Sequence, residues 1–438
     1  DIRTFGGEPG EEEPFLPPVD MPATPPTIGT LERRLILSRL VQAFAISNDG
    51  FATPPNAAEI LRLAESLGEV IDDLIVEEVA FGRLVDLVPE QFAANWQDIL
   101  TFLDIALSAW PKVLVAVGKV DAATARNARL KRQAATARTL YGERPVIAAG
   151  STGSVPATAA LLKAIAELPR GAIVLPGLDT TLTPEQHDAL LDPARSAGHP
   201  QYQLAQLLRR LGAGIGEVAE LAGQSPRTEL VRRALAPPDE TAQWAEVRPT
   251  LPVTEALAGV RVIAAPGVDL EARAIALAAR EAVAAIRSVG IVARDQTLAR
   301  RIRVELDRFG ISVDDPAGTP LYQSAAGRLA RQILAVVDSD WGAVDTLALL
   351  RNGAVTLGRS RGEISHLADR LDHALRRGAP VAGLAGLLER HEPGEARDLL
   401  DDLGRAIDPV VRLCEAAEVT PARLAGALLA AVVALADD

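Results

Sequence analysis

Cysteine is nearly missing from this chain. Cys414 is the only one in 438 residues, so neither an internal disulfide framework nor a Cys-rich metal or iron–sulfur site can be built from these residues. Histidine is also scarce. The five, at 187, 199, 366, 373 and 391, show no close metal-ligand spacing. Long apolar runs are lacking too. The longest, residues 424–436, falls short of the ~20 residues that span a bilayer. The N-terminal stretch is acidic and proline-rich, without the basic-then-apolar order of a secretion signal. These features lead to a cytoplasmic expectation with no membrane partner. Positive charge is in deficit: 45 Lys and Arg face 58 Asp and Glu, a net charge of -13. That is a poor starting point for a free-standing nucleic-acid binder, although a local basic groove can still act within an acidic chain.

What is present is apolar content. At 48% hydrophobic, the composition suits folded cores and the length suits two to four domains. Asp1 stands in place of a start methionine, Met21 is the only methionine, and the end falls inside an apolar helical run. Together they lead to the expectation of a piece of a longer chain.

The most informative stretch is residues 144–182. Residues 146–149 read as a buried strand. Gly150, Ser151, Thr152, Gly153 and Ser154 follow as a tight polar turn. Pro156 sits where a first helical turn tolerates proline, with Ser154 the expected N-cap. Ala159, Leu162, Ile165 and Leu168 recur at helical spacing, Gly171 breaks the helix, and residues 172–175 form a second strand. A β-turn-α-β unit of this kind builds a parallel sheet covered by helices.

Elsewhere, residues 1–30 read as a Pro-rich extended linker and residues 31–143 as an all-helical module, with Trp110-Pro111 marking a break inside it. Thr183-Pro184-Glu185-Gln186 has the signature of a capped helix start. Residues 260–264, 288–293 and 310–313 read as strands, separated by helices at 270–285 and 296–308. From about 355 onward the pattern is helical.

Three passages resemble the AddB family, the second subunit of the bacterial AddAB helicase–nucleases, in its alphaproteobacterial form. They are GSTGSVPATAALLKAIAELPRGAIVLPGLD from Gly150, Gly198-His199-Pro200-Gln201-Tyr202, and GISVDDPAGTPL from Gly310. The resemblance implies an α/β fold with large all-α insertions, holding two incomplete RecA-like parallel-sheet domains of the superfamily-1 helicase kind. On that template residues 31–143 match a first helical insertion and 144–250 the remainder of the first motor domain. Residues 251–355 match the start of the second motor domain, and 356–438 the start of a second insertion. The P-loop region would precede Asp1, and the last helicase motifs and a nuclease domain would follow Asp438.

It also implies double-strand break repair by homologous recombination, in a complex with AddA. That complex unwinds and degrades DNA with ATP and Mg²⁺ until the helicase-like part meets a regulatory sequence. A 4Fe-4S cluster belongs to the nuclease domain, and no cofactor is expected in this segment.

The residues depart from an active motor. No Gly-rich loop ending in Lys-Ser or Lys-Thr occurs, and Lys163 lies two turns into its helix. The strand at 146–149 runs into Gly150-Ser151, where a motor needs an Asp-Glu pair for Mg²⁺ and water. No catalytic or metal residues are therefore assigned. Gly150–Ser154 reads first as a capped βα turn and second as a phosphate seat. His199, Gln201 and Tyr202 read as local packing or as a set that stacks on an unpaired base. Arg300 and Arg303, opposite the apolar face of their helix, read as a solvated face or as contacts to a DNA backbone. The basic face at Arg126, Arg129, Lys131, Arg132 and Arg138 has the same two readings. Two other classes stand beside the AddB expectation. One is a stand-alone α/β enzyme binding a nucleotide or phosphorylated small molecule at Gly150–Ser154, and the other a helical interaction scaffold.

Overall fold

The computed structural model describes residues 25–47, 55–80, 82–83, 93–221, 223, 225–236, 238–375, 381–416 and 418–436. The chain divides into two compact units, Asp1–Arg261 and Val262–Asp438. Most of the described chain is helical, with one small parallel sheet.

The first unit opens with α1 (Thr30–Ser47), α2 (Ala57–Val76), α3 (Ala93–Val117) and α4 (Ala122–Tyr141). Leu37 and Val41 of α1, Ala64, Leu67 and Ile71 of α2, and Leu103 and Trp110 of α3 share one core. Asn56 and Glu59 close a reciprocal capping box at the start of α2. Two expectations are corrected here. Trp110-Pro111 is no break, because both residues lie inside α3. Proline costs that helix one backbone hydrogen bond, but the buried Trp110 indole donates to Asp121 at 2.9 Å and anchors the helix across the gap. The last residues of the expected linker are docked rather than loose. Ile28 is buried, its N–H donates to the Val120 carbonyl, and the Val120 N–H returns a bond to Pro26. Residues 1–24 lie outside the described residues, as do the side chains of Phe92, Trp96 and Ile99.

Next come β1 (Val146–Ala149), α5 (Pro156–Ala166) and β2 (Gly171–Val174), the βαβ unit the sequence predicts. The strands pair in parallel, Val146 opposite Gly171 through Ala149 opposite Val174. Ala157, Leu161, Leu162 and Ile165 of α5 pack with Ala148, with Leu130 of α4, and with Leu207. Ile147 points the other way and is 68% exposed. Then follow α6 (Pro184–Ala189), α7 (Pro193–Ser196), α8 (Tyr202–Leu211), α9 (Pro226–Ala234), α10 (Trp244–Val247) and α11 (Val253–Ala256).

The second unit holds α12 (Val268–Ala284), α13 (Gln296–Asp307), α14 (Ala325–Asp338), α15 (Ala343–Leu350), α16 (Arg361–Leu375), α17 (Gly383–Glu389), α18 (Glu395–Cys414) and α19 (Pro421–Leu435). The alanine stripe Ala272, Ala276 and Ala279 lets α12 approach α13, where Ile302 and Leu306 complete a small core. Helices α14 to α19 enclose a larger one, including Ile333, Leu349, Leu371, Leu399, Leu403 and Leu435. The three strands expected at 260–264, 288–293 and 310–313 are not strands in the structure. Residues 261–266 and 288–294 carry no regular secondary structure, and β1 and β2 form the one sheet among the described residues. Ile291, Ala293 and Ile311 do pack against the α12–α13 core, while Val262 is 92% and Val292 100% exposed. A strand is made by a neighbour's hydrogen bonds, and no described residue supplies them. Among the described residues, no helix is long and apolar enough to cross a membrane. The apolar run at 424–436 instead forms most of α19, burying Ala431 and Leu435.

Candidate functional site

Because β1 and β2 are parallel and joined through α5, both end at the same edge of their sheet. The loop leaving β1 and the loop leaving β2 are therefore neighbours, and the Gly150 N–H donates to the Val174 carbonyl at 3.3 Å. Ligands of open α/β sheets bind at this carboxyl edge.

The first loop owes its shape to glycine and one hydroxyl. Gly150 and Gly153 hold φ of +82° and +59°, a region that L side chains rarely enter. A Cβ on buried Gly153 would stand 2.6 Å from Cδ1 of Leu207, so the glycine lets the loop press onto α8. The Ser151 hydroxyl accepts the Gly153 N–H at 3.2 Å, and Arg210 reaches the Gly153 carbonyl at 3.5 Å. Thr152 is exposed and Ser154 half-buried. Val155, not Ser154, is the N-cap of α5, and no side chain caps it. Pro156 at the first helical position shifts the helix start by one residue, which leaves Ser154 outside the capping geometry.

The second loop is tied down by the residues the sequence marked at 199–201. Gln201 donates through Nε2 to the Gly177 carbonyl at 2.8 Å and accepts the Asp179 N–H at 3.0 Å. His199 accepts the Gln201 N–H on Nδ1 at 3.1 Å. Its Nε2 lies 2.8 Å from the Leu235 carbonyl. A carbonyl only accepts, so Nε2 carries the proton and both ring nitrogens are engaged. His199 and Gln201 thus fasten the β2 exit and the end of α9 to the start of α8. Tyr202 begins α8 beside them. Replacing Gln201 with alanine is expected to cost about 1–2 kcal/mol through the two lost bonds. Faster amide exchange confined to residues 177–181, beside a lowered Tm, is the measurement that checks it.

Around these ties lies a cleft of about 170 Å³, lined by Leu178, Asp179, Leu182, His199, Glu220, Val231, Arg232 and Arg233 among others. Asp179 turns its carboxylate onto the Thr181 N–H and hydroxyl at 3.0 and 2.6 Å. Glu229 takes both Arg232 and Arg233, and the Arg232 hydrogen bond holds its carboxyl below the usual range. Sequence reading missed Arg210, Arg232 and Arg233. Their one available signal was the pairing of arginines near helix ends, Arg209-Arg210 and Arg232-Arg233.

Gly150–Ser154 and His199, Gln201 and Tyr202 all lie in the first unit, the loop against Leu207 and Arg210 of α8 and the other three at the start of that helix. Arg300 and Arg303 lie on α13 of the second unit. Along α4, Lys131 pairs with Glu78 at 2.9 Å and Asn127 donates to the Ile75 carbonyl, so part of the expected basic face is turned to α2. The β1 edge offers hydroxyls, amides and Arg210 but neither lysine nor carboxylate, a donor set that does not fit a magnesium nucleotide. Among the described residues, no group of three or more His, Cys, Asp or Glu is placed to hold a metal ion. No protein-family model matches this chain, and no curated protein matches it.

Proposed function

We propose that this chain is the helicase-like, non-hydrolysing part of an AddB-type subunit of a double-strand break repair helicase–exonuclease, acting in the cytoplasm with an AddA partner. It guides a DNA strand and scans it for a regulatory sequence during homologous recombination. The supporting observation is the β1 edge. If the parallel βαβ unit is the counterpart of a motor's second-motif strand and its loop, that loop carries Gly150-Ser151-Thr152-Gly153-Ser154 in place of the acids of a motor. Loop amides, the Thr152 hydroxyl and the uncapped start of α5 suit a backbone phosphate, which needs donors and no chemistry. ATP and Mg²⁺ then belong to the partner, and the 4Fe-4S cluster to a nuclease segment outside this chain. The acidic total charge is compatible with a surface that largely faces another protein.

Co-expression with an AddA-type helicase tests the proposal. The expected result is a stable heterodimer that binds single-stranded DNA, while this chain alone does not turn over ATP. ATP hydrolysis by the chain alone, or no association with the partner, would sink it. The β1 loop also favours a second reading, a stand-alone enzyme that seats a phosphorylated small molecule there. That reading expects a thermal shift with a nucleotide or sugar phosphate and indifference to single-stranded DNA.

A further inference from the structure

In the second unit, α13 and α14 are joined by a chain of polar contacts over an exposed aromatic ring. Arg300 donates to the Gln323 side-chain carbonyl at 2.6 Å, and Gln323 Nε2 donates to the Tyr322 hydroxyl at 2.8 Å. Arg331 donates to the Tyr322 carbonyl at 3.3 Å, with its guanidinium 5.8 Å from the centre of the tyrosine ring. Tyr322 is nevertheless 54% exposed, and its neighbour Leu321 is 79% exposed. Arg303 follows Arg300 by three residues on α13, and Arg328 precedes Arg331 by three on α14, so each pair shares a helix face.

Other arginines on α12 and α13 are neutralised. Arg301 pairs with Asp269, and Arg273 and Arg308 pair with Glu305. Among the described residues, Arg300, Arg303, Arg328 and Arg331 have no acidic partner. Four guanidinium groups without an acidic partner, Arg331 over the Tyr322 ring, Arg300 bonded to Gln323 and one more on the helix face of each, stand out in a chain of net charge -13. Burial does not explain it, since Tyr322 and three of the four arginines are exposed.

We propose that this patch is a single-stranded nucleic-acid site. Arg300 and Arg303 take phosphates on one side, Arg328 and Arg331 on the other, and an unpaired base stacks on Tyr322. The chemistry matches sequence-tolerant strand binding, in which cationic side chains follow the backbone and aromatic faces take the bases. Leu321 extends the apolar platform. The inference rests on the strand-guiding reading above and locates one of its contacts.

The test is fluorescence anisotropy of a labelled oligo-dT of about a dozen nucleotides, titrated with the full chain at several salt concentrations. Tyr322→Ala is expected to weaken binding roughly 5- to 100-fold, the range of one base–aromatic stack. Tyr322→Phe keeps the ring and is expected to stay within about threefold of the unaltered chain. Arg328→Gln with Arg331→Gln is expected to flatten the slope of log K against log salt by about 1.4, at ~0.7 for each phosphate no longer neutralised. Circular dichroism and thermal unfolding establish that each variant is folded. If Tyr322→Ala binds as the unaltered chain does and heparin competes as well as oligo-dT, the patch is a polyanion surface only and the stacking site falls. If all the variants bind oligo-dT unchanged, the strand runs elsewhere; this inference falls while the strand-guiding reading stands. If the unaltered chain binds no single strand, alone or with an AddA partner, both fall.

Discussion

Gly171→Ala is expected to be the most damaging single methyl group in the first unit, costing at least ~3 kcal/mol. A Cβ at the first residue of β2 would lie 1.8 Å from the Ile165 carbonyl oxygen and 3.1 Å from Cβ of Leu168. The 1.8 Å approach is to backbone, so no rotamer change relieves it. Either α5 unwinds at its end, which strips the cover from the sheet, or β2 moves off β1, which breaks the pairing of Val146 with Gly171. Denaturant unfolding should show the lost stability, and hydrogen exchange should show β1 and β2 unprotected together. Gly177→Ala is the control in the same loop system. It has φ of +66° but no atom within 4 Å of an added Cβ, so it should cost only the ~1–2 kcal/mol of a left-handed alanine. Equal effects of the two would mean that the close approach of Ile165 does not exist in solution.

Arg33→Met is the second large effect, with an expected loss of about 3–5 kcal/mol from stranding a buried charge. Asp121 is 2% exposed. It receives the Trp110 indole N–H at 2.9 Å and lies 3.1 Å from Nε of Arg33. Arg33 also grips Asp72 with two bonds and the Gly68 carbonyl with one. Without the arginine, Asp121 keeps only the indole. Burial already pushes the Asp121 carboxyl above its ordinary 3.8, against the Trp110 bond and the Arg33 charge. The folded chain therefore holds that proton more tightly than the unfolded chain does. Its contribution is fully present below pH 3.8 and is lost as pH rises through the higher folded value. Compared with Asp121→Asn, the unaltered chain should lose relative stability from pH 3.8 upward. The difference should widen in the Arg33→Met background. Urea midpoints from about pH 3.5 to about pH 7 measure it, and parallel curves for aspartate and asparagine would refute the account.

Local signals were legible where the local chain also supplies the partners. Pro156 and the apolar spacing at Ala159, Leu162 and Ile165 are enough to place α5, since helical hydrogen bonds are made within the segment. The Thr183 to Gln186 signature does form a capping box at α6, for the same reason. Residues 260–264 and 288–293 carry the β-branched pattern of strands, but a pattern cannot provide the neighbouring backbone that a strand requires. Ser154 was misread because Pro156 takes the first helical position and makes Val155 the N-cap, and Trp110-Pro111 because the deciding group is distant. The α3 helix is carried past its proline by Asp121, which lies outside it and takes the Trp110 indole N–H.

The functional residues divide along the same line. Residue types alone exclude disulfide and cysteine-metal chemistry, deny the β1 edge the lysine and acids of a motor, and mark 150–154 and 199–202 as special. Tertiary structure decided what those side chains do. His199 and Gln201 spend their polar atoms on Leu235, Gly177 and Asp179, and Gly153 is glycine because Leu207 occupies the space of a side chain. It also gathered Arg300, Tyr322 and Arg331 from two helices and a turn onto one surface. Composition and periodicity are properties of neighbours along the chain. Which donor meets which acceptor across tens of residues is set only when the elements pack.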